Sequence, residues 1–345
     1  MLPDQSRLQL TPDLKICRIL NGMWQVSGGH GCINSRAAIA QMFDYVDAGF
    51  TTWDLANHYG AAEDFIGEFR QQWQAERGEA ALSQVQALTK WVPHPGRMTR
   101  QIVEESINLS RRRMQTETLD LLQFHWWDYR DRSYLDALLH LQDLQQEGKI
   151  RHLALTNFDT DHLQIVLDCG IQIVSNQVQF SLIDRRPLVQ MAQFCQQHDI
   201  KLLAYGTLCG GLLSDRYLNQ PEPSANQLST ASQRKYKKMI DAWGDWNLLQ
   251  SLLNVLHSIA QKHQVSIANV AIRWVLDQPA VAGAIVGARL SIAEHLRDNA
   301  RVFDLQLDEA DRAEIEVVLG KSRDLFAAIG DCGDEYRHPT PLTSG

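Results

Sequence analysis

Eight short apolar runs alternate with amphipathic helical stretches along almost the whole chain, and no other feature of its 345 residues restricts the fold as much. The runs read as strands at 16–20, 50–54, 84–90, 119–124, 151–155, 171–175, 201–205 and 281–286. Segments with apolar residues at helical spacing lie between most of them, at 36–48, 99–114, 134–147 and 187–198. Gly49, Gly148 and Gly170 stand where such helices stop, and Asp199 takes that place after Gln197 and His198. The strands mostly recur every roughly 20–35 residues, the pitch of a βα unit. Such a pattern predicts a closed (β/α)8 barrel. An open doubly wound sheet competes with it, but that fold carries a Gly-rich phosphate turn after an early strand, and neither GxGxxG nor GxxxxGK[ST] occurs.

One barrel domain over 1–345 is expected, with its core at about 16–320 and a tail at 321–345. One stretch breaks the rhythm. From Cys209 to Ser266 the chain is polar until a helix resumes at 246–263. An insertion there, after the seventh strand, lies on the barrel face that carries chemistry, so it reads as a cofactor or substrate cover.

The totals exclude several classes of function. A formal net charge of −8 argues against nucleic acid or an anionic membrane as partner. No run is long enough to cross a bilayer, and the N-terminus lacks a signal pattern. Six scattered cysteines without a CxxC pair suggest a reduced, cytoplasmic protein, with Cys32 and Cys209 inert despite their place near the mouth. HExxH and paired His/Cys spacing are absent, so no metal is expected.

In a barrel the functional groups gather at the carboxyl ends of the strands. Here those ends carry Asp54 (then Asn57, His58 and Tyr59), Lys90, His125, Thr156–Asn157, Asn176–Gln177, Tyr205–Gly206 and Gly287. Alone, each is most simply a cap, a solvated side chain or a packed core residue. Together they form a ring of polar groups around one mouth.

The segments FTTWDLANHYGAAEDFIGE, QALTKW, LDLLQFHWWD, GKIRHLALTNF, SNQVQF, LLAYGTLCGGLL and AIVGARLSIAEHLRDN resemble, in order, the motifs of the aldo-keto reductase superfamily, from about Leu20 to Asn299. That resemblance implies NADP(H)-dependent interconversion of aldehydes or ketones with alcohols, NAD(H) being the other possible cofactor. It implies a catalytic tetrad of Asp54, Tyr59, Lys90 and His125. Tyr59 would be the general acid, Lys90 would lower its pKa, Asp54 would keep Lys90 charged, and His125 would orient the carbonyl.

The cofactor residues implied in the same way are Thr156, Asn157 and Gln177 for the carboxamide and Tyr205 for stacking. Gly206, Thr207, Leu208 and Gly210 would line the pyrophosphate, and Gly287, Arg289 and Asn299 would clamp the adenosine phosphate. Arg289 would pair with a 2′-phosphate, hence NADP(H) is preferred. Trp24, Trp91 and Trp126 are candidate walls of a substrate pocket. The chain departs from the family pattern at Trp127 and Val286, where Pro is frequent, at Thr156, where Ser is usual, and in lacking the lysine often present in the clamp. The alternative function is a cofactor-sensing regulatory subunit with little turnover. The last stretch, 330–345, reads either as a disordered tail or as a segment folded over the mouth to touch substrate.

Overall fold

A computed structural model describes residues 2–27, 33–292 and 295–337. Eight parallel strands close into a barrel: β1 (Ile19–Gly22), β2 (Thr52–Asp54), β3 (Gln86–Trp91), β4 (Leu119–His125), β5 (Ile150–Thr156), β6 (Ser175–Gln179), β7 (Lys201–Tyr205) and β8 (Val281–Gly287). Each strand pairs with its successor, and β8 closes on β1 through Ala284 opposite Ile19. This is the barrel that the alternation predicted.

Two strands differ from expectation. The first apolar run is split: Ile16 and Cys17 end an antiparallel hairpin (Arg7–Thr11 with Leu14–Cys17), and the barrel strand starts only at Ile19. Hydropathy cannot register that break, because both halves are buried. The hairpin plugs the barrel floor, where Leu10, Leu14 and Ile16 pack on Leu20, Leu88, Leu121, Ala154 and Leu203. The sixth strand lies four residues later than the apolar run 171–175, over Ser175–Gln179. Its sequence is polar because inward positions such as Gln177 serve the mouth, so an apolar signal misses it.

Strand periodicity explains how the interior is layered. Side chains two residues apart share a face, so Lys90 stands above Leu88, Gln123 and His125 above Leu121, Thr156 above Ala154, and Tyr205 above Leu203. Apolar residues fill the floor and polar ones the mouth. The larger core lies outside the barrel, where Trp53, Phe124, Leu138, Val178 and Leu253 pack between strands and helices.

The helix-ending residues Gly49, Gly148, Gly170 and Asp199 all have positive φ. Within the insertion, the expected helix spans Trp246–His263. It is capped by Asp245, whose carboxylate accepts from the Leu248 N–H at 2.8 Å. A second helix, Ala231–Trp243, precedes it where a polar loop was expected. Thr230 and Gln233 form a capping box there, a signal that polarity concealed.

Candidate active site at the barrel mouth

Three of the tetrad positions, Asp54, Lys90 and His125, end strands β2, β3 and β4, and Tyr59 follows β2 in its loop. Lys90 on β3 donates to Oδ2 of Asp54 on β2 at 2.7 Å, with both side chains buried. The other carboxylate oxygen, Oδ1, accepts from Gln123 Nε2 at 3.0 Å and Gln177 Nε2 at 2.7 Å. Gln177 Nε2 also lies 2.6 Å from Gln123 Oε1. A buried carboxylate held by one ammonium and two amides is the saturated arrangement that makes a buried ion tolerable. Gln123 escaped the sequence reading although it sits two residues before His125, on the same strand face; that spacing was the available signal. Gln177 was assigned to a carboxamide, yet its amide nitrogen is spent on Asp54 and Gln123, which leaves Oε1 for a ligand.

Tyr59 is half-buried beside this pair, with Lys90 Nζ 5.1 Å from its ring centroid. Trp24, the candidate pocket wall, meets Tyr59 edge-on with ring centroids 4.9 Å apart. The expected lowering of the phenol pKa is not what these surroundings produce. Burial raises it well above the ordinary value, and the Asp54 carboxylate and Tyr336 push the same way. Burial is the leading cause, and Lys90, itself paired with Asp54 at 2.7 Å, does not outweigh it. Burial in turn lowers the pKa of Lys90, against the raising influence of Asp54.

His125 is almost wholly buried, and burial, followed by the nearby Arg337, His58 and Lys90, pushes its pKa down to about 3. The imidazole is therefore neutral near pH 7, and its Nε2 has no hydrogen-bond partner among the described residues. Thr156 Oγ1 is buried and unpartnered in the same way. Other buried side-chain atoms also lack a partner, but these two stand at the carboxyl ends of β4 and β5, where a polar ligand in the mouth would meet them. A nicotinamide and a carbonyl substrate match them: His125 offers an imidazole nitrogen and Thr156 a hydroxyl.

Trp91 and Trp126 are corrections. Trp91 is 3% exposed and packs on Phe124, and Trp126 is 0% exposed with its indole nitrogen bonded to the Asp128 and Asp131 carbonyls. Both are core residues, because side chains alternate along a strand: Lys90 and His125 face the mouth, so the neighbouring Trp91 and Trp126 turn outward to the helical layer. Trp127 takes the wall position, with its ring centroid 4.2 Å from that of His125.

On the cofactor side, Thr207 is buried and Leu208 half-buried, while Gly206 and Gly210 have positive φ. A Cβ on Gly210 would stand 2.9 Å from the Ser232 backbone, so this glycine admits the insertion helix as well as any phosphate. Cys209 is buried and its thiol is pushed up to about 12 by burial, which keeps it inert, while Cys32 lies outside the described residues. Gly287 ends β8 against Gln25, Asn299 is buried, and Arg289 is exposed with no ion-pair partner among the described residues. No cluster of three His, Cys, Asp or Glu able to hold a metal occurs among the described residues, and no described helix is long and apolar enough to cross a membrane.

The stretch 331–337 packs on the mouth. Arg186, 2% exposed, is held by Asp184 at 2.7 Å and by Glu335 at 2.9 Å, and it also donates to the Asp331 carbonyl. Asp331 accepts from the N–H and hydroxyl of Thr160. Gly333, at φ 91°, passes so close to the Asn157 carbonyl that a Cβ would collide with it. Through Arg337 the stretch expected to be either a disordered tail or a cover touching substrate is folded against the mouth; residues 338–345 lie outside the described residues.

Comparison with known proteins bears on the family and the fold. A sequence model of the Aldo/keto reductase family matches residues 18–319. The chain is 26% identical to the aldo-keto reductase YhdN of Bacillus subtilis over 89% of its own length and 91% of that protein. It is 28% identical to flagellar radial spoke protein 5 of Chlamydomonas reinhardtii, over 64% of the chain but only 49% of that longer protein. The solved structure of a glycerol dehydrogenase from Gluconobacter oxydans superposes with a TM-score of 0.76 at 23% identity, covering 92% of this chain and 96% of that one.

Proposed function

The chain belongs to the aldo/keto reductase family of oxidoreductases, and we propose that it is an NADP(H)-dependent reductase of small aldehydes or ketones that also oxidises the corresponding alcohols. The observation that carries this reading is the buried Lys90–Asp54 pair behind Tyr59, with His125 Nε2 unpartnered beside it. When bound, the nicotinamide supplies or accepts the hydride.

The chain's own residues handle the proton. Tyr59 carries it, since burial and the Asp54 carboxylate keep the phenol protonated at neutral pH. As the proton leaves for the carbonyl oxygen, negative charge grows on Tyr59, and Lys90 is the cation placed to stabilise it. Asp54, fixed by Gln123 and Gln177, holds Lys90 in position. Neutral His125 orients the carbonyl through a hydrogen bond.

Thr156, Asn157 and Gln177 would hold the carboxamide and Tyr205 would stack on the ring. The backbone of Gly206, Thr207, Leu208 and Gly210 would take the pyrophosphate, and Gly287, Arg289 and Asn299 the adenosine phosphate. The exposed guanidinium of Arg289, without an ion-pair partner among the described residues, supports a 2′-phosphate and hence NADP(H) over NAD(H). All five described cysteines are free, which fits the reducing cytoplasm. The partners of this reading are small carbonyl compounds, neither nucleic acid nor membrane.

Reduced-nicotinamide absorbance, followed with both cofactors over a panel of sugars, aromatic aldehydes, ketones and pyridoxal, tests the proposal. Consumption that depends on the carbonyl compound and disappears in Tyr59→Phe supports it. Tight cofactor binding without turnover on any of these compounds would favour a sensing subunit instead.

A further inference from the structure

Asn157 lies at the end of β5 in the left-handed region, with φ 56°, and residues far away in sequence hold it from two sides. Its backbone carbonyl accepts from Arg337 Nη2 at 2.6 Å, and Arg337 also donates to the Trp126 carbonyl at 3.0 Å while its guanidinium lies 3.8 Å over the Tyr129 ring. Its side-chain oxygen accepts from the Tyr205 hydroxyl at 2.9 Å. That hydroxyl is 3.2 Å from the hydroxyl of Tyr336, which in turn receives a hydrogen bond from Lys235 on the insertion helix. Since Tyr205 donates to Asn157 and Lys235 can only donate, the protons run one way: Lys235 to Tyr336 to Tyr205 to Asn157. With Oδ1 and the carbonyl both taken, the polar group left on Asn157 is its Nδ2 donor. No donation from Nδ2 is made to any described residue.

We propose that the C-terminal strap is a positioning element of the cofactor site: Tyr336 and Arg337, joined through Lys235 to the insertion, set Asn157 so that its Nδ2 donates to the nicotinamide carboxamide. This rests on the nicotinamide reading above. The strap thus acts on the reacting end of the cofactor and not on its adenosine half, which Gly287, Arg289 and Asn299 would hold at the opposite edge of the mouth. Tyr336 and Arg337 are positioning residues, since they act through Tyr205 and Asn157.

The test compares two ligands by tryptophan-fluorescence titration, using the nine native tryptophans: NADPH, and 2′,5′-ADP, which lacks the nicotinamide. Tyr336→Phe removes one hydroxyl and keeps the ring, Lys235→Met breaks the chain at its half-buried start, and Arg337→Lys retains a cation. Losing one hydrogen bond in the relay is expected to weaken NADPH by about three- to tenfold in Tyr336→Phe and Lys235→Met, with 2′,5′-ADP unchanged. Arg337→Lys should weaken NADPH less than Arg337→Met does. Unchanged NADPH affinity in Tyr336→Phe, or an equal loss for both ligands, overturns the proposal. Failure of the native protein to bind either NADPH or NADH would remove the nicotinamide reading itself, a result visible before any variant is made.

Discussion

Lys90 Nζ stands 2.7 Å from Asp54 Oδ2, a full ion pair taken out of solvent at the carboxyl ends of neighbouring strands. Taking one partner away leaves the other charged and buried, which is far costlier than never having buried the pair. Lys90→Met should therefore cost about 3–5 kcal/mol of stability as well as turnover. Lys90→Met combined with Asp54→Leu should regain stability but not activity, and urea unfolding beside steady-state assays reads both. Full stability in Lys90→Met would show that the pair is more solvated than its burial implies.

Tyr59→Phe keeps the ring against Trp24 and deletes only the acid. Turnover should fall about 10²–10⁴-fold, the usual size of a general-acid contribution, with NADPH affinity nearly unchanged. Retained turnover would assign the proton to another group.

The raised pKa of the Tyr59 phenol has opposite consequences for the two directions of reaction. Reduction needs the proton on the phenol, and below the raised pKa it is there, so carbonyl reduction should be flat through neutral pH. Oxidation needs the phenolate, so kcat/KM for alcohols should climb with pH and keep climbing past pH ~10, the ordinary value for a tyrosine. His125 contributes no limb near neutrality, because its pKa of about 3 leaves it neutral throughout. An oxidation profile that levels off near pH 7 would contradict this account.

Arg186 bridges two buried carboxylates, Asp184 and Glu335, and so ties the stretch 331–337 to the barrel. Despite its burial, Glu335 has a lowered pKa, because the charges of Arg186 and Lys235 outweigh the desolvation. A carboxylate with a depressed folded pKa stabilises the fold above its unfolded value and loses that contribution as pH falls through the folded one. Limited proteolysis should thus cut the strap around 331–337 faster as pH falls below the ordinary carboxylate range, and in Arg186→Met already at pH 7. Equal resistance in Arg186→Met would mean that other contacts hold the strap.

Arg289→Ala should weaken NADPH by about tenfold or more and leave NADH within twofold, since a charge-assisted bond to phosphate has no counterpart in NADH. Parallel titrations of the two cofactors decide it.

The sequence by itself determined the barrel and its ring of polar strand ends. Hydropathic alternation and strand periodicity are local properties, and they place Asp54, Lys90, His125, Thr156 and Tyr205 at one mouth without any coordinates. Local signals also explain what they got wrong. The polar strand Ser175–Gln179 carries no apolar run, and Trp91 and Trp126 stand at strand ends like the mouth residues although each adjoins an inward side chain, Lys90 or His125, and so points outward. Only the tertiary structure decided that Asp54 takes two glutamine amides as well as Lys90, and that the Tyr59 phenol is held protonated rather than loosened. It alone brought Lys235, Tyr336 and Arg337 to the strand ends that bear Tyr205 and Asn157. Those contacts join residues about a hundred positions or more apart in the chain, and their energies depend on burial and on the sum of neighbouring charges, neither of which exists until the chain has folded.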